Sequence, residues 1–152
     1  MLFRSDLYGP RFRALHWCTE QMITAALAQM DLTASQGRII GFIARAKTPP
    51  CSKDIEDFFH LSHPSVWGTL SRMEKKGFLQ FCPDPQDRRC KRLHLLPKGQ
   101  ACHAAIEQTI SQIEDRMVQG FSPEERRLFS AFLDRSIENM RGTLCYPHQK
   151  EE

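Results

Sequence analysis

At 152 residues the chain is long enough for one domain with a core of its own. Hydrophobic content of 41% and charged content of 26% are ordinary for a globular protein, and no apolar run is long enough to cross a bilayer. The net charge is only +3; six cysteines without a C-x-x-C spacing argue against a structural zinc site, and no apolar leader opens the chain, so reduced thiols and a cytoplasmic location are expected.

Leu7 to Met30 reads as a helix that Gly9-Pro10 begins or interrupts, with Leu15, Met22, Ala26 and Leu27 on one stripe. Thr33 to Gln36 is a capping box, so a second helix starts there, and Ile39, Ile40, Phe42 and Ile43 make it a buried one. It ends by Lys47, and Thr48 to Cys51 is a stiff proline loop. Ser52 opens a short helix, Lys53 to Phe59, whose apolar side is Ile55, Phe58 and Phe59. After a connection of only His60 to Ser62 comes the segment LSHPSVWGTLSRMEKKG, Leu61 to Gly77. Ser62 suits its N-cap and Pro64 its first turn; Val66, Leu70 and Met73 form the apolar stripe, and Gly77 closes it. Phe78 to Cys82 and Arg92 to Leu96 read as strands around a turn rich in proline and aspartate. Pro97 to about Gly120 is one long helix, with Ala101, Ala105, Ile106, Ile110, Ile113 and Met117 on its apolar side. Ser122-Pro123-Glu124-Glu125 then starts a last helix, along which Leu128, Phe129, Phe132, Leu133, Ile137 and Met140 recur at helical spacing. The tail from Pro147 is expected to fray.

The expected fold is mainly α with a small β-hairpin wing: a winged helix-turn-helix at 32–99 within one domain, 1–152. The flanking helices, 1–31 and 100–145, have apolar faces and no core of their own to cover, so they are assigned to dimerisation. The face of the 61–77 helix opposite its stripe holds Ser62, His63, Ser65, Gly68, Ser71, Arg72 and Lys75 and no carboxylate. Residues 72–98 carry eight Lys/Arg against three acids, whereas 100–152 carry six against nine, so positive charge gathers on this helix end and the hairpin. Such a distribution beside a helix-turn-helix is the footprint of a nucleic-acid surface, the helix in a major groove and the hairpin at a minor groove or the backbone. Gly68 in mid-helix costs about 1 kcal/mol against alanine and permits close approach to phosphate or base edges. Trp67, between stripe and polar face, has two readings: against thymine methyls, or over the preceding helix.

The run Leu32-Thr33-x-x-Gln36, then Leu61-Ser62, then Met73-Glu74-Lys75-Lys76-Gly77-Phe78-Leu79, Asp84-Pro85-x-Asp87-Arg88-Arg89, Leu93-x-Leu95 and Lys98-Gly99 resembles the MarR family of bacterial winged-helix transcription regulators. The resemblance is close over Leu27 to Gly99. One departure is Leu96-Pro97-Lys98-Gly99, where the family has a threonine after the leucine. The resemblance implies a triangular homodimer with interdigitated terminal helices. It also implies a wing arginine, here Arg89, that enters the minor groove; Asp87 is expected to hold it by a charge-assisted pair. The expected DNA-binding residues are Ser62, His63, Ser65, Gly68, Ser71 and Arg72 on the helix and Asp87, Arg88, Arg89 and Lys91 on the wing.

Many members of the family bind aromatic carboxylates or phenols. Arg13, His16 and Trp17, with Phe42 and His103, supply a cation, imidazoles and aromatic rings suited to such an effector; the other reading is helix-packing aromatics beside a surface arginine. His16, Cys18, His103 and Glu107 invite a metal, but an i, i+4 His–Glu pair is a weak signal, and neither metal nor cofactor is expected. Peroxide-sensing members use a cysteine on the first helix; counting back from Gln36 puts it opposite Gly9 and not Cys18. Cys82 and Cys90 bracket the wing without a determined register. The function expected is a homodimeric repressor on an inverted-repeat operator in double-stranded DNA, released by a small aromatic anion. The alternative is a redox-responsive regulator or small thiol protein acting through Cys18. With no oxyanion motif, phosphate-binding glycine loop or third member of a triad, no enzyme is expected.

Overall fold

The structure, a computed structural model, describes residues 7–84 and 91–141. Its elements in chain order are α1 (Gly9–Gln29), α2 (Ala34–Arg45), α3 (Ser52–Phe59), α4 (His63–Lys75), β1 (Leu79–Pro83), β2 (Lys91–Leu95), α5 (Pro97–Met117) and α6 (Pro123–Arg141). The expected class, helices with one antiparallel hairpin forming a winged helix, is what the chain adopts. It divides into two compact units, Met1–Ile113 and Glu114–Glu152.

In the first unit the three stripe residues of α4, Val66, Leu70 and Met73, are wholly buried among Ile39, Ile40, Ile55, Phe78, Leu79 and Leu93. Their i, i+4, i+7 spacing puts them on one face of the helix, and burying that face fixes which side of α4 is left to solvent. The capping box of α2 forms as read: Thr33 N–H donates to Gln36 Oε1 at 2.9 Å and Gln36 N–H to Thr33 Oγ1 at 3.3 Å. This satisfies a glutamine side chain that is otherwise buried. α4 ends in a Schellman motif. Gly77, at φ +76°, donates to Glu74 O, and Phe78 N–H reaches back to Met73 O at 3.0 Å. Gly77 thereby turns the chain from recognition-type helix straight into the hairpin.

Several boundaries differ from expectation, each for a local reason. α3 starts at Ser52 itself, because Cys51 is the N-cap and its N–H is taken by Asp54 Oδ2 at 2.7 Å. The strands are Leu79–Pro83 and Lys91–Leu95, one residue from the ranges expected, in the register Leu79↔Leu95 to Pro83↔Lys91. Phe78 closes α4 with its N–H and accepts from Leu96 N–H at 3.0 Å with its carbonyl, so the ladder begins one residue later. Pro83, which has no N–H to give, sits at the outer end of the ladder. The proline loop also does more than connect: Cys51 bridges to Arg92, and Leu93 N–H donates to Pro50 O at 2.8 Å, so the loop pairs with the free edge of β2. The missing threonine before α5 is replaced by Pro97 in the first turn, with Leu96 O accepting from Gln100 N–H at 3.0 Å. α5 ends at Met117, short of Gly120, and it buries Cys102 where Ala101 was expected.

In the second unit Ser122 and Glu125 cap α6 reciprocally, at 2.7 and 3.3 Å. Phe121 meets Phe129 edge to face at 5.7 Å. No residue of α6 is buried within the single chain, and Leu128, Phe132, Ile137 and Met140 of its apolar stripe are exposed. Among the described residues no helix is long and apolar enough to cross a membrane.

Candidate nucleic-acid interface

α4 presents Ser62, His63, Ser65 and Arg72 as exposed residues, with Gly68 and Ser71 half-buried beside them. Ser62 occupies the N-cap without making a side-chain cap hydrogen bond, so its hydroxyl is not used by the helix. Thr69 Oγ1 donates to Ser65 O at 3.0 Å and accepts from Arg72 Nη2 at 3.4 Å. The Arg72 guanidinium also folds back over Gly68, where an added Cβ would meet its Nη1 at 4.0 Å. Gly68 therefore leaves a shallow depression with a cation at its rim.

The polar face is not free of carboxylates, as its own sequence suggested. Glu56 of α3 reaches across the turn, and its Oε1 lies 2.6 Å from His63 Nδ1. The Glu56 side chain is 11% exposed and that of His63 68%. Nothing in the local pattern of either helix signals this pair; it follows from the angle at which the turn sets α3 against α4. That turn is tight: His60 takes φ +52°, and Leu61 N–H donates to Glu56 O at 3.0 Å.

Trp67 meets the wing. Its ring stacks on Phe81 of β1, centroids 5.3 Å apart and planes tilted 37°, and remains 45% exposed. Together with a contact from Phe81 N–H to Glu74 Oε1 at 3.4 Å, this ties the hairpin to the solvent flank of α4. Asp87, Arg88 and Arg89, with the expected Asp87–Arg89 pair and Cys90, lie outside the described residues. An ion pair the sequence did not reveal holds the outer end of the ladder: Arg92 Nε donates to Asp84 Oδ2 at 2.6 Å, and Arg92 Nη1 to Pro49 O at 3.2 Å. Asp84 is only 7% exposed. The ladder register makes the pair diagonal neighbours, since Arg92 is opposite Cys82.

These partners change the meaning of the charge count. Lys76 is paired with Asp31 at 2.8 Å, and it holds the Asp31 carboxyl below its usual 3.8. Lys98 Nζ donates to Lys76 O at 2.9 Å and sits 4.2 Å over the Phe78 ring. Arg92 is committed to Asp84. Lys75 and Lys91 are exposed and have no ion-pair partner among the described residues. Three of the cations that made the region basic thus hold the lobe together, and Arg72, Lys75 and Lys91 face solvent.

The five residues expected around an effector stand in different settings. Arg13, His16 and Trp17 are exposed along α1, as is Cys18. Phe42 packs with Phe58 at 4.7 Å and Phe59 at 5.8 Å. His103 lines a hollow of about 470 Å³ with Ile43, Lys47, Pro49, Leu93 and His94, and none of the other four takes part in it. His103 Nδ1 is buried and has no hydrogen-bond partner among the described residues; Glu107 is 3.9 Å away, too far, and is itself held by Arg45 at 3.0 Å. Among the described residues no group of three or more potential metal ligands occurs.

Comparison with known proteins agrees with this geometry. Residues 30–89 match the model of the MarR family. An uncharacterised HTH-type transcriptional regulator of Bacillus subtilis, YybA, is 22% identical over 111 residues, covering 72% of this chain and 74% of that one. A putative MarR family transcriptional regulator from Clostridium acetobutylicum superposes with a TM-score of 0.73 at 26% identity, over 87% of this chain and 97% of the other. MepR of Staphylococcus aureus, in a crystal structure of its DNA complex, does so with 0.75 at 25% identity, over 88% and 99%. Its helix-turn-helix, Schellman-closed α4 and paired hairpin give this chain the winged-helix fold, and over residues 30–89 it is similar to the MarR family of transcription regulators.

Proposed function

We propose that the protein is a homodimeric repressor that binds an inverted repeat in double-stranded DNA and is released by a small aromatic anion. The observation that carries the DNA reading is the outward side of α4: small and polar residues with Arg72 and Lys75 exposed, above a wholly buried stripe. The similar chain of Staphylococcus aureus MepR has been solved with DNA, which supports the same use of this surface. Ser62, His63, Ser65, Gly68, Ser71 and Arg72 then face the major groove, and Asp87, Arg88, Arg89 and Lys91 serve the wing. A second copy is supported by the exposed apolar stripe of α6, whose Leu128, Phe129 and Phe132 line an open hollow of about 260 Å³ with Phe121. The dimer draws on 1–31 and 100–145, and the 32–99 lobes carry the DNA contacts. An operator-binding repressor with reduced thiols belongs in the cytoplasm.

Release is a population shift: an effector that binds better when the two recognition helices are wrongly spaced for successive major grooves draws the dimer off DNA. Arg13, His16, Trp17, Phe42 and His103 remain the proposed effector residues, and the unpartnered His103 Nδ1 in its hollow beside Lys47 and His94 is the feature that supports an anion. Footprinting on duplexes selected from a random library tests the DNA reading. Two symmetric half-sites about 10 base pairs apart are expected, with binding that falls steeply in salt. One asymmetric half-site would refute it. In the effector arm, with salicylate as probe, Arg13→Ala and His16→Ala should keep DNA affinity and lose release. Release by peroxide that disappears in Cys18→Ser would instead favour the thiol alternative.

A further inference from the structure

We propose that Glu56 is a positioning residue for base reading: it holds His63 with the proton on Nδ1, so that Nε2 faces the major groove as a hydrogen-bond acceptor. The inference rests on the proposal that α4 enters that groove. Its ligand is an exocyclic amine on a base edge, cytosine N4 or adenine N6, the two major-groove donors.

The Glu56 side chain is nearly buried, and a desolvated carboxylate needs compensation. His63 Nδ1, at 2.6 Å, supplies it. An ionised carboxylate only accepts, so Nδ1 must carry the hydrogen. The neutral ring then has its lone pair on Nε2, at the opposite edge of the imidazole. Nε2 has no hydrogen-bond partner among the described residues, and the side chain is two-thirds exposed on the first turn of α4. A histidine free to choose its tautomer would accept from one base and donate to another. Clamped by Glu56, the neutral ring accepts only, which favours cytosine or adenine and disfavours the acceptor edge of guanine. The selectivity of an exposed residue is thus set by a nearly buried one on the other helix of the motif.

The test uses the full chain, wild type and the variants Glu56→Gln, His63→Ala and the double. Long-range nitrogen-15 spectra of the ring in the free protein at pH 8 should show the Nδ1–H tautomer in wild type and a shift toward Nε2–H in Glu56→Gln. Sites selected from random duplexes should carry cytosine or adenine at one position in each half-site. Replacing it with guanine or thymine should weaken wild-type binding by about two- to tenfold. Exchanging cytosine for adenine at that position tells which amine is read. His63→Ala should lose the preference and Glu56→Gln flatten it. Glu56→Gln should change nothing further in the His63→Ala background, which a plain clamp on the turn would not obey. His63→Ala leaves Glu56 in place and tests the preference even if Glu56→Gln fails to fold. An unchanged tautomer in Glu56→Gln, a preference for guanine, or no preference would overturn the inference while leaving DNA binding intact. A wild type that binds no duplex would overturn both.

Discussion

Replacing Gly99 with alanine sets two effects against each other, and the structure decides the sign. Gly99 lies in the first turn of α5, where alanine is the better helix former by about 0.5–1 kcal/mol. A Cβ there would stand 2.1 Å from the Phe78 carbonyl oxygen and 3.2 Å from Leu95 Cδ2. The Phe78 oxygen is backbone, already accepts from Leu96 N–H, and belongs to a residue with no solvent exposure, so it has no room to yield. The start of α5 must move away by about 1 Å to restore ordinary contact. Forcing a methyl into a packed junction costs about 1–3 kcal/mol, and weakening the Leu96–Phe78 hydrogen bond adds about 1 kcal/mol. After the gain in helix propensity, the net loss is about 1–3 kcal/mol. For a chain of this size that lowers the melting temperature by about 2–10 °C. Thermal unfolding followed by circular dichroism at matched protein concentration reads it directly. An unchanged or raised melting temperature would mean that the close approach of α5 to the hairpin base is not as described.

Gly68→Ala should behave in the opposite way for folding, because its Cβ meets only Arg72 Nη1 at 4.0 Å: about 0.5–1 kcal/mol of added stability in urea unfolding, with weaker DNA binding if the depression receives the duplex. Arg92→Ala should destabilise by about 2–4 kcal/mol, since it strips the guanidinium from a carboxylate that is 7% exposed; a loss under about 0.5 kcal/mol would place the pair with ordinary surface pairs. The Asp31 carboxyl is lowered chiefly by its hydrogen bond from Lys76, so its contribution to stability is complete above 3.8 and is lost as pH falls through the lowered folded value. Asp31→Asn should therefore flatten the acid end of the stability-against-pH curve and leave its slope at neutral pH alone. Burial pushes the Cys102 thiol up, whereas Cys18 is exposed, so iodoacetamide at pH 8 should label Cys18 well before Cys102; equal rates, read by mass spectrometry of the peptides, would contradict the burial.

What the sequence determined alone was local. The α2 capping box, the Pro97 and Pro123 helix starts and the Gly77 stop are chemistry between residues a few positions apart, and they formed where the pattern put them. The stripe Val66, Leu70 and Met73 told which side of α4 is buried, because a helical period maps spacing directly onto a face. Tertiary structure decided everything that depends on register or crossing angle. A one-residue change in where β1 begins was set by Phe78 being spent on two backbone hydrogen bonds, neither of which a strand pattern contains. Arg92 finds Asp84 across the hairpin, Glu56 finds His63 across the turn, and Trp67 finds Phe81 on the wing; each partner is chosen by geometry between elements. The basic count over 72–98 was correct as a sum, but Lys76, Lys98 and Arg92 are held by Asp31, a backbone carbonyl and Asp84. Charge in a sequence is a total, and only packing divides it between what holds the fold and what is left to meet a phosphate.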